Sequence, residues 1–311
     1  MWKKYFIFLI LIVSYRPGRA QDSSYIARHL YLDSIVISAS RVNFDVPGFI
    51  KMVEEDTTFY KAFKTLRILA YTADNHIQIL NKKNKDIASL TSTTRQHHLY
   101  GCRTMSVLSE KTTGDFYDRS KDYNYYTAEL FANLFFTQGE ICDEDNIVKG
   151  SREEKTGSSS MDKHKDQLKQ LIFNPGQPIS GVPLISNKVA IFDDKVAPMY
   201  DFSITAANYG SQPCYVFTAK AKPAYSTNVV INKLVTYFSK DNLEIVYRDY
   251  SLSYNAWVFD FDVHMQVKMT HFNGLMVPSF IKYKGDWKVP FHKRENAVFT
   301  ARFHNFAMEG K

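Results

Sequence analysis

The chain has 311 residues, of which 15% are aromatic (20 Tyr, 23 Phe), and a formal net charge of +7. That length allows a sizeable core, and aromatic side chains suit pleated, half-buried surfaces, so the composition favours β structure. Cleavage after residue 20 would remove Lys3, Lys4, Arg16 and Arg19 and no acid, taking the 39 basic residues to 35 against 32 acidic ones; the charge is then weak evidence for a nucleic-acid or anionic-membrane partner.

The start reads as a targeting segment. Lys3 and Lys4 form a positive region, Tyr5–Val13 is apolar, and Gly18 and Ala20 suit cleavage after Ala20. The apolar run is too short to span a bilayer, which takes about 20 residues. The expectation is a signal peptide over 1–20, export to the periplasm, outer membrane or exterior, and no integral membrane span after cleavage. An uncleaved anchor is the alternative. Residues 21–311 are expected to form a single β-rich domain, with a flexible or helical insertion at about 143–183.

Ser34–Ser40 reads as a short strand. Asp45 is a good N-cap, with Pro47 in the first helical turn. Phe49, Ile50, Val53, Phe59, Phe63 and Leu66 continue an apolar face at helical spacing, so the pattern predicts two amphipathic helices across Val46–Leu66. Arg67–Leu80 reads as a hairpin turning at Asp74-Asn75, and Ile87–His97 and Arg103–Ser109 as strands. Tyr126–Thr137 has helical spacing, with Gly139 as a stop. Asp143–Asp162 is charged and rich in Ser and Gly, which predicts a loop. Lys163–Phe173 reads as a short helix, followed by a Pro- and Gly-rich connector. Val189–Phe192, Tyr200–Ala206, Tyr215–Lys220, Val229–Phe238, Leu243–Tyr254, Trp257–Thr270, Leu275–Tyr283 and Ala297–Phe303 read as strands. Their turns include Phe272-Asn273-Gly274 and Lys284-Gly285-Asp286.

The clearest strand is Trp257–Thr270. Phe259, Phe261, Val263, Met265 and Val267 alternate with polar residues, so one face is oily and the other polar. No nucleophile elbow, zinc-protease helix or phosphate loop occurs, and no cofactor is implied. Asp260, Asp262 and His264 share the polar face and could bind a cation. Same-face neighbours are roughly 7 Å apart, so a solvated sheet face is the plainer reading and no metal is assigned. Adjacent His97 and His98 point opposite ways on a strand. Cys102 and Cys142 flank one region and are expected to pair, leaving Cys214 free in an apolar strand. A zinc site lacks the needed Cys/His spacing.

The C-terminal strands carry a resemblance. CYVFTAKAK (Cys214–Lys222), INKLVTYFSKDNLEIVYRDYSL (Ile231–Leu252), FDVHMQVKM (Phe261–Met269), GLMVPSFIKYKGDW (Gly274–Trp287) and FTARFHNF (Phe299–Phe306) resemble the LolA/LolB-like lipoprotein-sorting proteins of Bacteroidetes. DTTFYKAFKTLRIL (Asp56–Leu69), GCRTM (Gly101–Met105) and DYNYYTAELF (Asp122–Phe131) resemble other exported Bacteroidetes proteins. The resemblance implies a half-barrel sheet that shelters acyl chains beneath helices. The chain is longer than the small carriers and has an extra segment around Asp143–Pro183.

The expected fold is therefore α+β and mostly antiparallel, a curved sheet or half-barrel covered by a few helices. The expected function is non-enzymatic carriage of a hydrophobic ligand, a lipid or lipoprotein acyl chain, lined by Phe259, Phe261, Val263, Met265 and Val267. The alternative is an envelope interaction protein with a filled core. A metal-assisted hydrolase at Asp260, Asp262 and His264 ranks behind both.

Overall fold

The structure, a computed structural model, describes residues 36–37, 44–148, 170–179, 185–255, 260–288 and 292–310. The expected signal peptide lies outside them, as do residues 149–169 and 180–183 of the expected insertion.

One sheet organises these residues. Its strands are β1 (Val36–Ile37), β2 (Ala70–Leu80), β3 (Asp86–Leu99), β4 (Cys102–Thr113), β5 (Ile141–Cys142), β6 (Tyr200–Tyr209), β7 (Gln212–Ala221), β8 (Ile231–Ser239), β9 (Ile245–Asn255), β10 (Asp260–Phe272), β11 (Leu275–Lys288) and β12 (Glu295–Ala307). The spatial order is β1-β6-β7-β8-β9-β10-β11-β12-β2-β3-β4-β5. All neighbours are antiparallel except β1, which runs parallel to β6. The C-terminal strand closes the gap between the two meanders, with Phe299 opposite Ile77 and Ala301 opposite Asn75. The expected antiparallel sheet with few helices is what the chain forms.

Two tight turns follow from their residues. Tyr100-Gly101 and Asn273-Gly274 all have positive φ, between 48° and 77°. That geometry matches the twist of the flanking strands and favours Gly and Asn.

One face of the sheet is apolar and carries the helices. α1 (Val46–Glu55) begins at Asp45, whose carboxylate accepts the Gly48 N–H at 3.0 Å, with Pro47 in the first turn. It buries Phe49, Ile50 and Val53. α2 (Thr58–Thr65) buries Phe59, Ala62 and Phe63 and runs into a 3-10 turn at Leu66–Ile68. α3 (Tyr126–Phe135) has no capping side chain of its own. Glu295 of β12 supplies one, accepting the Tyr126 and Thr127 N–H groups at 3.2 and 2.8 Å. A carboxylate there also complements the positive end of the helix dipole. A helical turn at 170–173 and the short α4 (Ser186–Val189) complete the cover.

Three expectations fail for physical reasons. Residues 70–80 form one strand, with no turn at Asp74-Asn75. Asn75 faces inward and is satisfied there, its amide donating to Ala73 O, Ser92 Oγ and Thr94 Oγ1. Asp74 faces outward and accepts from Thr93 Oγ1. Val189–Phe192 is no strand: Val189 ends α4, and a turn follows. Lys284-Gly285-Asp286 is no turn either, because β11 runs through it to Lys288.

Gly285 has a packing role instead. Tyr283 and Trp287 lie two residues either side of it on the same face, and the Trp287 indole N–H donates to Tyr283 Oη at 2.8 Å above it. A Cβ at position 285 would sit 2.6 Å from the Tyr283 ring and 2.7 Å from Trp287 Nε1. Gly285→Ala is therefore expected to destabilise the fold by about 2 kcal/mol, as overpacking of a filled core does, and urea unfolding monitored by Trp fluorescence measures it.

Candidate functional site

β10 supplies the centre of the apolar wall. Phe261, Val263, Met265 and Val267 point inward and are 0–3% exposed. Phe259 lies outside the described residues. The ladders add Tyr254, Leu252, Tyr250 and Arg248 from β9, and Trp287, Gly285, Tyr283 and Ile281 from β11, opposite those four residues in turn.

The cover meets this wall through rings. Phe131 of α3 lies edge-on to Tyr283 with centroids 4.8 Å apart and stacks on Phe299 at 5.3 Å. Phe63 of α2 stacks on Phe173 at 4.4 Å, and Phe59 lies edge-on to Tyr250 at 6.3 Å. Tyr250 joins wall and cover with a polar bond. Its hydroxyl donates to Ile172 O and lies 3.0 Å from Met265 Sδ. Burial pushes its pKa well above the ordinary phenol range, so it stays a protonated donor.

Arg248 is the one charged side chain among the buried residues of this wall. Its Nε donates to Thr236 Oγ1 at 3.0 Å, its guanidinium carbon lies 4.2 Å from the Phe59 ring centroid, and Nη2 reaches Asp56 Oδ2 at 3.5 Å. Both partners are buried, at 5% and 9% side-chain exposure. Burial pulls the Arg248 pKa down, and Asp56 pulls it back up. Asp56 also accepts the Thr58 N–H at 3.0 Å, so a single carboxylate caps α2 and pins the α1–α2 elbow to the sheet. Gln96 of β3 holds the far end of α2, donating to Leu66 O and Leu69 O at 2.7 Å each.

The sequence reading missed Arg248, Asp56 and Gln96. A signal for the first was present: Tyr250 and Leu252 are inward-facing, so the alternation makes Arg248 an inward polar residue in an apolar row.

The polar face of β10 does not gather into a metal site. Asp260 accepts from Arg294 Nη1 at 2.6 Å, Asp262 is exposed, and His264 Nε2 lies 3.0 Å from Asp249 Oδ1. Among the described residues, the metal-ligating atoms that come together in a group of three belong to Cys102, Glu140 and Cys142, and those two cysteines are joined in a disulfide, as expected. Cys214 is free and buried, and burial pushes its thiol pKa up, the opposite of what a nucleophile needs. His97 leans on Glu309 at 3.4 Å.

No family model matches the chain, and no curated protein matches it. The solved structures similar to it include the following two. One is a DUF1329 family protein from Desulfovibrio piger ATCC 29098, at 11% identity and a TM-score of 0.26, covering 90% of this chain and 92% of that one. The other is described as an outer-membrane lipoprotein-sorting protein domain from Vibrio parahaemolyticus, at 8% identity and a TM-score of 0.27, covering 78% of this chain and 88% of that one. With scores this low, what the site can do is read from its own geometry.

Two outcomes follow from the site. Asp56→Ala strands a buried guanidinium and is expected to cost about 3 kcal/mol, and adding Arg248→Met should restore most of it; denaturant unfolding of the single and double variants checks both. On the outer face, partial burial pushes the Asp249 carboxyl up, but hydrogen bonds from His264, Gln266 and Tyr247 outweigh it and hold the pKa below the ordinary range. A depressed folded pKa stabilises above the unfolded value of about 3.9 and is lost as pH falls through the folded one. The stability gap between the native chain and Asp249→Asn should therefore be present at pH 7 and close below about pH 4 in urea melts.

Proposed function

We propose that the chain binds a hydrophobic ligand, a lipid or a lipoprotein acyl chain, between its sheet and its helical cover, without catalysing a reaction on it. One observation carries this reading. Among the described residues, the apolar face of a single sheet is covered by short pieces, helices of ten, eight, ten and four residues, drawn from three parts of the chain. Helices of that length have little stability of their own and are held by packing. Such a cover can part from the wall and exchange its own rings for an apolar chain, and concave apolar surfaces suit such ligands. The residue-level resemblance of the C-terminal strands to lipoprotein carriers points the same way. In this reading Phe259, Phe261, Val263, Met265 and Val267 line the bound chain. Export by the N-terminal segment would bring the protein to the envelope, where such ligands occur.

A second reading has its own support. The described wall is already packed by rings such as Phe131, Tyr283 and Trp287. A permanently filled core would make the chain an envelope interaction protein with no small ligand.

The two readings part on one set of measurements. Ligand carriage predicts lipid in mass spectra of gently purified protein and saturable uptake of a fluorescent fatty acid. Val263→Trp should weaken that uptake by at least about tenfold while lowering stability by about 1–3 kcal/mol. Absence of both lipid and uptake would sink the carrier reading.

A further inference from the structure

The segment after β5 runs as a strap from the sheet edge to the cover. Its attachment to the sheet is small. β5 pairs with β4 through Cys142 opposite Cys102 and Ile141 opposite Arg103. The Asp143 N–H then donates to Gly101 O at 3.1 Å, and Glu144 pairs with Arg103. The rest of the strap grips α2. Glu144 also reaches Arg67 at 3.3 Å, Asn146 donates to Thr65 Oγ1 at 3.4 Å, and Lys64 lies 3.6 Å from Asp145 and donates to Ile147 O. The Lys64 side chain is only 8% exposed, so its ammonium depends on such partners.

We propose that the Cys102–Cys142 disulfide is a redox-controlled fastener for this strap, and that its reduction releases the C-terminal half of α2. Cys142 is exposed and Cys102 half-buried, so a dithiol reductant can reach the bond. A reductant thiolate attacks one sulfur and breaks the S–S bond. The second thiolate of the reductant then displaces the mixed disulfide. The protein gains two electrons and two protons as two thiols, and the reductant leaves as its own disulfide.

The bond closes a loop across a sequence separation of 40, and opening it returns chain entropy to the segment. Among the described residues, what remains at the strap's foot is a two-residue ladder, a backbone bond and a part-exposed ion pair, which hold weakly. As the strap leaves, Asp145, Asn146 and Ile147 let go of Lys64 and Thr65, and the last turn of α2 loosens. The loosening is bounded on both sides. Asp56 fixes the start of α2 through Arg248, and Gln96 keeps Leu66 and Leu69 in place. The device operates whether or not the cover admits a ligand.

Hydrogen exchange read by mass spectrometry on the full chain, oxidised and reduced with dithiothreitol, tests this. Amides of 62–65 should exchange about tenfold faster after reduction, with β10 and β11 unchanged, as for a local opening. Cys102→Ser/Cys142→Ser should show the fast pattern with or without dithiothreitol, and Cys214→Ser should behave as the native chain. If alkylation shows Cys102 and Cys142 both free while 62–65 exchanges as before, the proposal is wrong. It is equally wrong if exchange rises throughout the sheet, because the bond then acts as a global staple. Should the double Ser variant fail to fold, the reduced native chain decides alone.

Discussion

The arrangement of the cover depends on the buried pair between Arg248 and Asp56. Two charges taken out of water cost more than their attraction returns unless further bonds satisfy them. Here Thr236, the Phe59 ring and the Thr58 N–H supply those bonds. The pair therefore tolerates only one placement of the α1–α2 elbow, and that placement sets where Phe49, Phe59 and Phe63 land on the sheet. A purely apolar contact would let the elbow slide along the wall. The ionic contact converts a non-directional packing preference into a register.

The second constraint is the ladder between β12 and β2. It joins the last strand to the first long one, so the two meanders share one sheet and one inner face. A cover helix from the first half, α2, thus sits over strands of the second half. α3, from the first half, takes its cap from Glu295 of β12. The first half therefore packs on strands from the second.

Local patterns carried much of this in the sequence, and long-range contacts did not. The alternation in β10 is legible because one face is wholly apolar, and Asn273-Gly274 because its turn demands positive φ. Asp74-Asn75 and Lys284-Gly285-Asp286 carry the same turn residues but lie inside strands. Asn75 is satisfied by Ser92 and Thr94 on β3, and Gly285 by the Tyr283–Trp287 bond that closes over it. Both depend on neighbours that composition cannot reveal. The wall residues Phe261, Val263, Met265 and Val267 were readable as inward, yet the partners that fix the cover over them, Asp56 and Gln96, bond residues 192 and 30 positions away in the chain.

In the proposed ligand-binding reading, those fixed points also decide what kind of opening the cover can undergo. α2 is held by buried polar bonds at both ends, so it cannot lift as a unit without stranding Arg248 or Gln96. α1 and α3 are held differently. Among the described residues, α1 is tied through ring contacts of Phe49 with Tyr215 and Phe238 and a bond from Gln177 to Glu54 O. α3 rests on Phe131 and Phe135 and on the Glu295 cap. Apolar contacts re-form against a lipid chain with little loss, because the surface stays out of water. Buried polar bonds have no such substitute. Entry of an apolar ligand would therefore displace α1 or α3 around a stationary α2, placing the opening on either side of the Arg248–Asp56 pair.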